Sequence, residues 1–357
     1  MRRLLVTGAA GFIGANFIEY WQQQYPQDFI LALDALTYAG NIRNLERARQ
    51  QNNFEFVPGN IADQAFIEHC LRHYQLDTLV NFAAESHVDR SISDPAIFLH
   101  TNILGTFSLL QAARTVWQEE PRIRGEAPVN HRFHHVSTDE VFGDLGEQGE
   151  PFVETSRYQP SNPYSATKAA SDHLLMAWAR TYGLHVSLSN CSNNFGIYQY
   201  PEKLMPRVIT NILHNRPLPV FGSGLQVRDW LYVHDHAAGI DRILQAGQPG
   251  CYYNIGGRNE RTNIEVIKLL CELVENILQE NLALQERYPQ AQQALAGNAA
   301  ALIQYVADRP GHDQRYAINP DKIERELGFR PQHDFRAALR TTVEWYLRHF
   351  SSPAGLV

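Results

Sequence analysis

The sequence predicts an α/β fold in which a doubly wound parallel sheet is followed by a smaller, mixed α/β C-terminal domain. Apolar runs alternate with helical stretches through the first half, a glycine-rich turn joins the first run to a helix, and the second half is less regular. Strands covered by helices on both faces are apolar along their whole length, so the runs are typical of a parallel sheet. The predicted strands are Arg3–Thr7, Phe29–Leu33, Phe54–Val57, Thr78–Phe82, Phe133–Ser137 and Val186–Asn190.

The length of 357 residues indicates two domains, because one hydrophobic core seldom serves so long a chain. We expect residues 1–190 to form the first domain and residues 191–357 the second, with the chain crossing between them. The second half contains two turn-rich stretches, an amphipathic helix and a last helix, predicted at Val220–Gly224, Gly250–Gly257, Ile264–Glu280 and about Asp334–Phe350.

Composition and charge exclude several classes of protein. Hydrophobic residues make up 44% of the chain and charged residues 19%, which is typical of a globular protein. The net charge of -7 argues against nucleic acid as a partner, because phosphate binding needs surplus Lys and Arg. The apolar run after Arg2-Arg3 is short and ends at Gly8, so it predicts a strand rather than a signal peptide. No stretch reaches the roughly 18 apolar residues of a membrane span, so no membrane partner is expected.

Cysteine and histidine spacing gives no sign of a metal or of disulfides. The four cysteines show neither metal-ligand spacing nor a disulfide framework, which favours reduced thiols and a cytoplasmic location; they are Cys70, Cys191, Cys251 and Cys271. The triplet His234-Asp235-His236 has the residue types of a metal site. A loop that precedes a helix explains it better, and we expect no metal.

A glycine trio follows the first predicted strand. Gly8, Gly11 and Gly14 have the spacing G-x-x-G-x-x-G, which lets backbone N–H groups and a helix N-terminus approach a pyrophosphate. The alternative is a plain tight turn between strand and helix. Asp34 lies 20 residues after Gly14, at the end of the second strand, where a carboxylate accepts hydrogen bonds from a ribose and repels a 2′-phosphate. The pattern therefore favours NAD over NADP, although Asp34 alone could be an ordinary turn residue.

Two further motifs carry groups that fit acid–base chemistry. Tyr164 and Lys168 are four residues apart in a helical stretch, so their side chains share a face and a nearby cation would favour the phenolate. Taken alone, they could be a surface pair. Thr138-Asp139-Glu140 follows the fifth strand, where open α/β sheets bind ligands. Two adjacent carboxyls tend to differ in pKa, giving one acid and one base. The alternative is a helix capping box, Ser137-x-x-Glu140.

Taken together, the motifs resemble the extended short-chain dehydrogenase/reductases, and within them the dTDP-glucose 4,6-dehydratases. The resemblance runs nearly from end to end. It is carried by residues 83–91, 137–141, 163–168, 190–194, 228–233 and 308–313, which read AAESHVDRS, STDEV, PYSATK, NCSNN, RDWLYV and DRPGHD.

The resemblance implies a reaction and roles for the catalytic residues. A tightly bound NAD⁺ would oxidise C4 of the glucose ring of dTDP-glucose, water would leave across C5–C6, and the hydride would return to C6, giving a 4-keto-6-deoxy sugar. Tyr164 would be the base at the C4 hydroxyl and Lys168 would orient the nicotinamide ribose. Glu140 would take the C5 proton, Asp139 would protonate the leaving C6 hydroxyl, and Thr138 would bind near the C4 oxygen. Simple epimerisation would not need this acid pair.

The resemblance also implies two sets of binding residues and a homodimer formed by helices next to the Tyr–Lys helix. Residues expected to bind NAD are Gly8, Gly11, Phe12, Ile13, Gly14, Asp34, Thr37, Asn60, Ile61, Ala83, Ala84, Ser86, Thr101, Tyr164, Lys168 and Asn194. Residues expected to bind the nucleotide sugar are Ser86, Thr138, Asn193, Lys203, Leu204, Pro219, Phe221, Arg228, Asn263, Asp308, Arg309 and His312. The first domain would thus bind NAD and the second the nucleotide sugar.

Two departures and two alternatives remain. Asn60-Ile61 stands where the family often has Asp-Ile, and the stretch 281–302 is longer than expected. A dehydratase, 4-epimerase or decarboxylase for another nucleotide sugar is one alternative. The other is a dinucleotide-binding sensor without catalytic activity, which the fold alone would permit.

Overall fold

The computed structural model describes residues 1–146, 148–308 and 313–349. Its main sheet has seven parallel strands in the order β10-β6-β5-β4-β1-β2-β3. The strands are β1 (Arg3–Thr7), β2 (Phe29–Asp34), β3 (Phe54–Pro58), β4 (Thr78–Asn81), β5 (Arg132–Thr138), β6 (Val186–Cys191) and β10 (Cys251–Ile255). The predicted doubly wound fold is confirmed, and the six predicted strands lie where they were expected, within one or two residues at each end.

The seventh strand corrects one prediction. The stretch Gly250–Gly257 was expected to be turn-rich, but it contains β10, which pairs with β6 at the edge of the main sheet. Its glycines lie only at the ends, and Tyr253 and Ile255 inside it are fully buried. The chain therefore returns to the first sheet after residue 190, as the expected crossing implies.

The order in which strands are added to the sheet reverses between β1 and β4. From β1 the strands run outward to β3, and the next strand, β4, pairs with the other side of β1. Side chains from the two faces of this sheet form two separate buried clusters. In such sheets the crevice outside the carboxyl ends of the strands at this point is the usual ligand site.

Fourteen α-helices lie in the described part of the chain. They are α1 (Phe12–Gln24), α2 (Gln64–His73), α3 (Val88–Ser93), α4 (Pro95–Phe98), α5 (Thr106–Arg114), α6 (Glu120–Ile123), α7 (Pro163–Tyr182), α8 (Leu204–Leu213), α9 (Val233–Ala246), α10 (Asn263–Glu280), α11 (Leu282–Arg287), α12 (Gln292–Leu295), α13 (Asp321–Leu327) and α14 (Phe335–His349). Short 3₁₀ turns occupy Ile42–Leu45, Ala48–Gln50, Asp139–Phe142 and Ala299–Leu302, and π-helical turns occupy Leu99–Gly105 and Thr115–Glu119.

Helices α4 to α6 and the π-helical turns between them form one continuous helical stretch, Pro95–Ile123. This stretch is long and apolar enough to cross a membrane, with a mean hydropathy of 1.2 over its most apolar 18 residues. Half of that segment, however, is buried inside the protein. Leu109, Leu110 and Ala113 in it are fully buried against one face of the main sheet. Such burial is typical of the core helix of a globular domain.

The second lobe is built on two small sheets. One has the order β11-β9-β13, with β7 also paired to β9, and the other joins β12 to β8. These strands are β7 (Asn193–Phe195), β8 (Leu218–Phe221), β9 (Val227–Tyr232), β11 (Glu260–Thr262), β12 (Ile303–Val306) and β13 (Arg315–Tyr316). Helices α8, α10 and α14 enclose its core.

The predicted amphipathic helix is α10. It begins in a capping box in which the hydroxyl of Thr262 accepts from the backbone N–H of Glu265, and Glu265 accepts from the backbone N–H of Thr262. The stretch 281–302, for which the sequence suggested no role, folds as α11, α12 and a 3₁₀ turn. It packs on α10 and α8 through Leu284, Tyr288 and Ala294.

Candidate active site

The glycine loop after β1 passes directly against the end of β4. Gly8 has φ +66°, and a Cβ on it would lie 2.6 Å from the backbone nitrogen of Ala83. A Cβ on Gly14 would lie 2.3 Å from the carbonyl oxygen of Gly8. The loop therefore needs glycine at both positions, and it leads into the N-terminus of α1, where partial positive charge favours an anion.

Asp34 joins the end of β2 to this loop. Its Oδ2 accepts a hydrogen bond from the backbone of Ala10 at 2.9 Å, and its Oδ1 accepts one from the backbone of Leu36 at 2.7 Å. Burial raises the pKa of the Asp34 carboxyl, and these backbone hydrogen bonds oppose that rise. Asp34 thus orders the glycine loop while its side chain also faces the cleft beside it.

A cleft of about 360 Å³ runs along the carboxyl ends of the strands. Every residue predicted to bind the cofactor lines it. These residues are Gly8, Gly11, Phe12, Ile13, Gly14, Asp34, Thr37, Asn60, Ile61, Ala83, Ala84, Ser86, Thr101, Tyr164, Lys168 and Asn194.

The end of β5 leads into the predicted acid pair. Thr138 caps the 3₁₀ turn Asp139–Phe142, since its Oγ1 accepts from the backbone N–H of Glu140 at 3.3 Å. Ser137, the cap expected from the alternative interpretation, instead donates to Oδ2 of Asp172 at 2.7 Å. A cap is therefore present one residue later than that alternative required, and it leaves both carboxyls facing the cleft.

The two adjacent carboxyls lie in different electrostatic surroundings. Burial raises the pKa of Asp139 well above its usual range, and the nearby carboxyls of Glu140 and Asp229 raise it further. Burial also raises the pKa of Glu140, but the cations Arg228 and Lys203 lower it. The surroundings therefore favour the protonated form of Asp139, and they make Glu140 the more easily ionised carboxyl of the pair.

Tyr164 and Lys168 lie on the first turns of α7, which begins in a capping box of Asn162 and Ser165. Lys168 is buried, donates to the carbonyl of Val136 at 2.8 Å, and its Nζ lies 3.2 Å from Nε2 of His135. Burial lowers its pKa and Asp172 raises it.

The phenol of Tyr164 differs from the sequence-based expectation. Burial raises its pKa well above the usual range, the charge of Glu140 raises it further, and a hydrogen bond with Thr138 lowers it. The lowering expected from Lys168 is not among these effects. Phenolate formation therefore needs positive charge beyond that of the surrounding side chains.

A second cavity of about 400 Å³ continues from the cleft toward the second lobe. Glu140 and Lys203 line both spaces, so Glu140 lies where they meet and Asp139 lies beside it in the first cleft. Predicted substrate residues that line the second cavity are Ser86, Asn193, Lys203, Leu204, Pro219, Phe221, Arg228 and Asn263.

The remaining predicted substrate residues have other positions. Thr138 lines the first cleft. Asp308 is not among the residues that line either space, and its Oδ2 accepts from Nε2 of Gln226 at 3.0 Å. Arg309 and His312 lie outside the residues that the structure describes.

Other residues of the second cavity escaped the sequence analysis. Tyr316 lies under Arg228, whose guanidinium is 4.4 Å from the ring centre, and Nη2 of Arg228 donates to the carbonyl of Asp313 at 2.9 Å. Further lining residues are Asn162, Met205, Arg207 and Trp230. Trp230 could have been found, because alternation along β9 brings it to the same face as Arg228. Tyr316 could not, because its strand is only two residues long.

The histidine triplet has local partners. Nδ1 of His236 lies 2.9 Å from Oδ1 of Asn194, and Asp235 accepts from His333 and from the backbone of Gln332. Within residues 1–146, 148–308 and 313–349, no three His, Cys, Asp or Glu side chains are grouped so as to hold a metal ion.

Comparison with known proteins identifies the family. The family model described as GDP-mannose 4,6 dehydratase matches residues 5–342. The dTDP-glucose 4,6-dehydratase of Neisseria meningitidis serogroup B is 48% identical over 347 residues, covering 97% of this chain and 94% of that protein. The dTDP-glucose 4,6-dehydratase of Xanthomonas campestris pv. campestris is 48% identical over 357 residues, covering 100% and 96%.

Solved structures agree with these sequence relatives. The dTDP-glucose 4,6-dehydratase of Streptomyces venezuelae, with NAD and TYD bound, has a TM-score of 0.83 and 41% identity, and the match covers 97% of both chains. That of Bacillus anthracis, in complex with NAD, has a TM-score of 0.83 and 38% identity, covering 100% of both. The UDP-glucose 4-epimerase of Thermotoga maritima, at 24% identity and a TM-score of 0.79, shares the fold. The chain belongs to the dTDP-glucose 4,6-dehydratase family of extended short-chain dehydrogenase/reductases.

Proposed function

We propose that this protein is an NAD-dependent dehydratase that converts dTDP-glucose to dTDP-4-keto-6-deoxyglucose. The observation that carries the proposal is the pair Asp139-Glu140 in the first cleft, of which Glu140 also lines the second cavity. Burial raises the pKa of both carboxyls; neighbouring carboxyls raise that of Asp139 further, whereas Arg228 and Lys203 oppose the rise at Glu140. Removal of water needs an acid at the leaving hydroxyl and a base at the neighbouring carbon. A site that only epimerises C4 needs neither group.

The first cleft fits NAD. Gly8 and Gly14 bring backbone close to a pyrophosphate, and Asp34 faces the cleft where it favours a ribose over a 2′-phosphate. Bound there, NAD⁺ supplies the oxidation of C4 and the hydride that C6 receives. Lys168 has two partners in the protein, Val136 and His135, and it lines the cleft where the nicotinamide ribose would lie. These contacts support its role in orienting that ribose.

The side chains divide the proton transfers. Tyr164 takes the proton of the C4 hydroxyl. Burial raises the pKa of its phenol, and the positive charge that an oxidised nicotinamide would bring to the cleft would favour the phenolate. The C4 ketone acidifies the C5 proton, which Glu140 removes. Asp139 gives its proton to the C6 hydroxyl, which leaves as water.

The second cavity fits a nucleotide sugar. Arg228 and Lys203 supply positive charge for a diphosphate, and Arg228 is held in place by backbone carbonyls and by the ring of Tyr316. The remaining predicted residues, including Asp308, Arg309 and His312, would complete this site. The identity of the base as thymine is supported by the relatives that share 44–48% of their sequence with this chain.

The test is incubation with a panel of nucleotide sugars in D₂O. We expect a 4-keto-6-deoxy product from dTDP-glucose, with one solvent deuteron at C5 and the C4 hydrogen transferred to C6, read by NMR and mass spectrometry. Turnover of GDP-mannose, CDP-glucose or a UDP-sugar without turnover of dTDP-glucose would contradict the substrate assignment. Binding of NAD without turnover of any sugar would favour a sensor.

We also propose that the protein is a homodimer that works in the cytoplasm. The continuous helix Pro95–Ile123, which packs against α7, carries apolar side chains on its outer surface: Leu99 and Leu104 are each 52% exposed and Phe107 is 36% exposed. A second subunit packed on these helices would cover them. Free thiols at all four cysteines suit a reducing compartment. The division at residue 190 into an NAD-binding and a nucleotide-sugar-binding domain likewise remains a proposal.

A further inference from the structure

The proposed reaction leaves two side chains in altered protonation states. Tyr164 gains the proton of the C4 hydroxyl, and the ketone product does not return it. Asp139 loses its proton to the departing hydroxyl, which leaves as water. The proton that Glu140 takes from C5 is replaced at C5. After each turnover, therefore, Tyr164 holds one proton more and Asp139 one proton fewer than at the start.

One hydroxyl lies between these two groups. Thr138, Asp139 and Tyr164 line the same cleft, and Oγ1 of Thr138 donates to Oδ1 of Asp139 at 3.3 Å. On its other side, hydrogen bonding to the hydroxyl of Thr138 lowers the pKa of the Tyr164 phenol. The other carboxyl oxygen of Asp139 is buried and has no hydrogen-bond partner among the described residues. Among the described residues, the one hydrogen bond to this carboxyl is therefore that from Thr138.

The backbone holds that hydroxyl in place. Oγ1 of Thr138 accepts from the backbone N–H of Glu140, and the carbonyl of Thr138 accepts from Nδ2 of Asn190 at 3.1 Å. A hydroxyl has one proton to donate and two lone pairs. With the N–H of Glu140 on one lone pair, it can donate to one of the two side chains while accepting from the other.

Burial separates the three groups from solvent. Tyr164, Thr138 and Asp139 are 8%, 7% and 2% exposed, and a substrate above them would reduce this access further. Direct exchange with water is thus the poorer route for restoring their protonation.

We propose that the hydroxyl of Thr138 is a proton relay that carries a proton from Tyr164 to Asp139 after each turnover. The O–H bond of Tyr164 breaks as a new O–H bond forms at Thr138, and the original proton of Thr138 passes to Oδ1 of Asp139. The phenolate and the protonated acid are both restored, and no external acid or base is consumed. This inference rests on the proposed function, and it gives Thr138 a role in resetting the site besides any contact with the C4 oxygen.

The test compares the first turnover with later ones. Thr138→Val keeps the shape of the side chain and removes its hydroxyl, whereas Thr138→Ser keeps the hydroxyl. Rapid-quench experiments with enzyme in excess give the rate of the first turnover, and experiments with dTDP-glucose in excess give the steady-state rate. We expect the ratio of the steady-state rate to the first-turnover rate to fall by about tenfold or more in Thr138→Val, at the low end of general acid–base effects.

The control variant and a small acid complete the test. Thr138→Ser should keep the ratio of the unsubstituted enzyme, and formate buffer should raise the steady-state rate of Thr138→Val without changing its first turnover. NAD content of each variant reports whether its site is intact. Equal slowing of both rates in Thr138→Val would overturn the relay. Absence of the 4-keto product with the unsubstituted enzyme would overturn the proposed function itself, and the relay with it.

Discussion

Asp139 and Glu140 are neighbours in the chain but have different charged partners. Asp139 is close to the carboxyls of Glu140 and Asp229, and Asp229 is itself buried and held by Ser192 and two backbone N–H groups. Glu140 is close to Arg228 and Lys203. A neighbouring carboxylate favours the protonated form of a carboxyl, and a neighbouring cation favours its ionised form. Two carboxyls that are adjacent in the sequence can therefore act as acid and as base.

Substitution of either carboxyl should separate oxidation from dehydration. We expect Asp139→Asn and Glu140→Gln to slow product formation by roughly 10²–10⁴-fold, while oxidation at C4 continues and reduced cofactor accumulates on the enzyme. Absorbance of the reduced nicotinamide and formation of the 4-keto product would be followed together. Tyr164→Phe is the matched comparison, since it should slow oxidation itself. If the carboxyl variants slowed both steps equally, the division of roles would be wrong.

Asp172 lies on α7 one turn beyond Lys168, and its protonation affects the stability of the fold. Burial raises the pKa of Asp172 to about 7, from 3.8 for an unperturbed carboxyl. Below pH 3.8 this carboxyl carries its proton in both the folded and the unfolded chain. Between pH 3.8 and about 7 it is protonated in the folded chain but ionised in the unfolded chain, so the free energy of unfolding falls as pH rises.

This gives a pH-dependent stability prediction. Between pH 4 and 7 the contribution of Asp172 should fall by up to about 1.4 kcal/mol per pH unit, and it should be constant above pH 7. Asp172→Asn should lack this slope, so its stability relative to the unsubstituted protein should rise with pH across that window. Urea unfolding of both proteins at several pH values measures the difference. A difference that does not change with pH would mean that Asp172 is ionised in the folded protein, paired with Lys168.

The glycine loop illustrates how one element depends on another. A side chain at Gly8 would meet the backbone at the end of β4, whereas Gly125 has a similar φ of +75° and nothing within 4 Å of a Cβ. The two positions therefore separate the cost of the backbone conformation from the cost of the clash.

Alanine at these two glycines should have different effects. Gly125→Ala should cost about 1–2 kcal/mol, the usual penalty of a left-handed conformation. Gly8→Ala should cost more and should also reduce the NAD retained by the purified protein, because β1 and β4 must move apart at the cleft. Urea unfolding and the NAD released on denaturation are the measurements. Equal losses of stability with full NAD content in both variants would contradict the close approach at Gly8.

Elements formed by local pattern were predictable from the sequence, and those formed by distant pairing were not. The six apolar strands and α10 have periodicities that local sequence displays. β10 was missed because the eight-residue stretch Gly250–Gly257 that contains it has three glycines, and it is a strand only because β6 offers a parallel partner more than 60 residues earlier. The capping box considered as an alternative after β5 would have begun one residue early, because Ser137 has a partner on α7 that local sequence does not reveal.

The site, in contrast, was predictable wherever a motif carried it. Many of the residues that line the first cleft lie in loops after the first four strands of the main sheet, whose positions follow from the fold class. Tyr316 enters the second cavity from a two-residue strand that pairs with β9. Nothing local distinguishes it from other tyrosines, so only tertiary structure brings it beneath Arg228.

At the scale of the whole molecule, the two lobes share one site. The cleft belongs to the main sheet and the second cavity to the smaller lobe, yet Glu140 from β5 and Lys203 from the second lobe line both. Residues from both halves of the chain therefore line each cavity.

The outer face of the helices α4 to α7 gives a prediction for assembly. We expect Leu104→Glu combined with Phe107→Glu to convert a dimer into monomers, because two charges would replace the apolar contact. Leu282→Glu is the control, since Leu282 is 74% exposed and lies on the opposite lobe. Sedimentation velocity measures the mass of each. A monomeric unsubstituted protein, or a dimer that the double variant leaves intact, would contradict the proposed interface.

Asp34 has a consequence for how cofactor preference could evolve. The carboxylate that faces the expected ribose also accepts the N–H groups of Ala10 and Leu36. Replacing it with a residue that tolerates a 2′-phosphate would leave these groups without their acceptor, at a cost of about 1–3 kcal/mol for a buried group. A shift toward NADP would therefore need at least two changes, one to admit the phosphate and one to fasten the loop again. A single substitution that changes cofactor preference would therefore also lower the stability of the glycine loop.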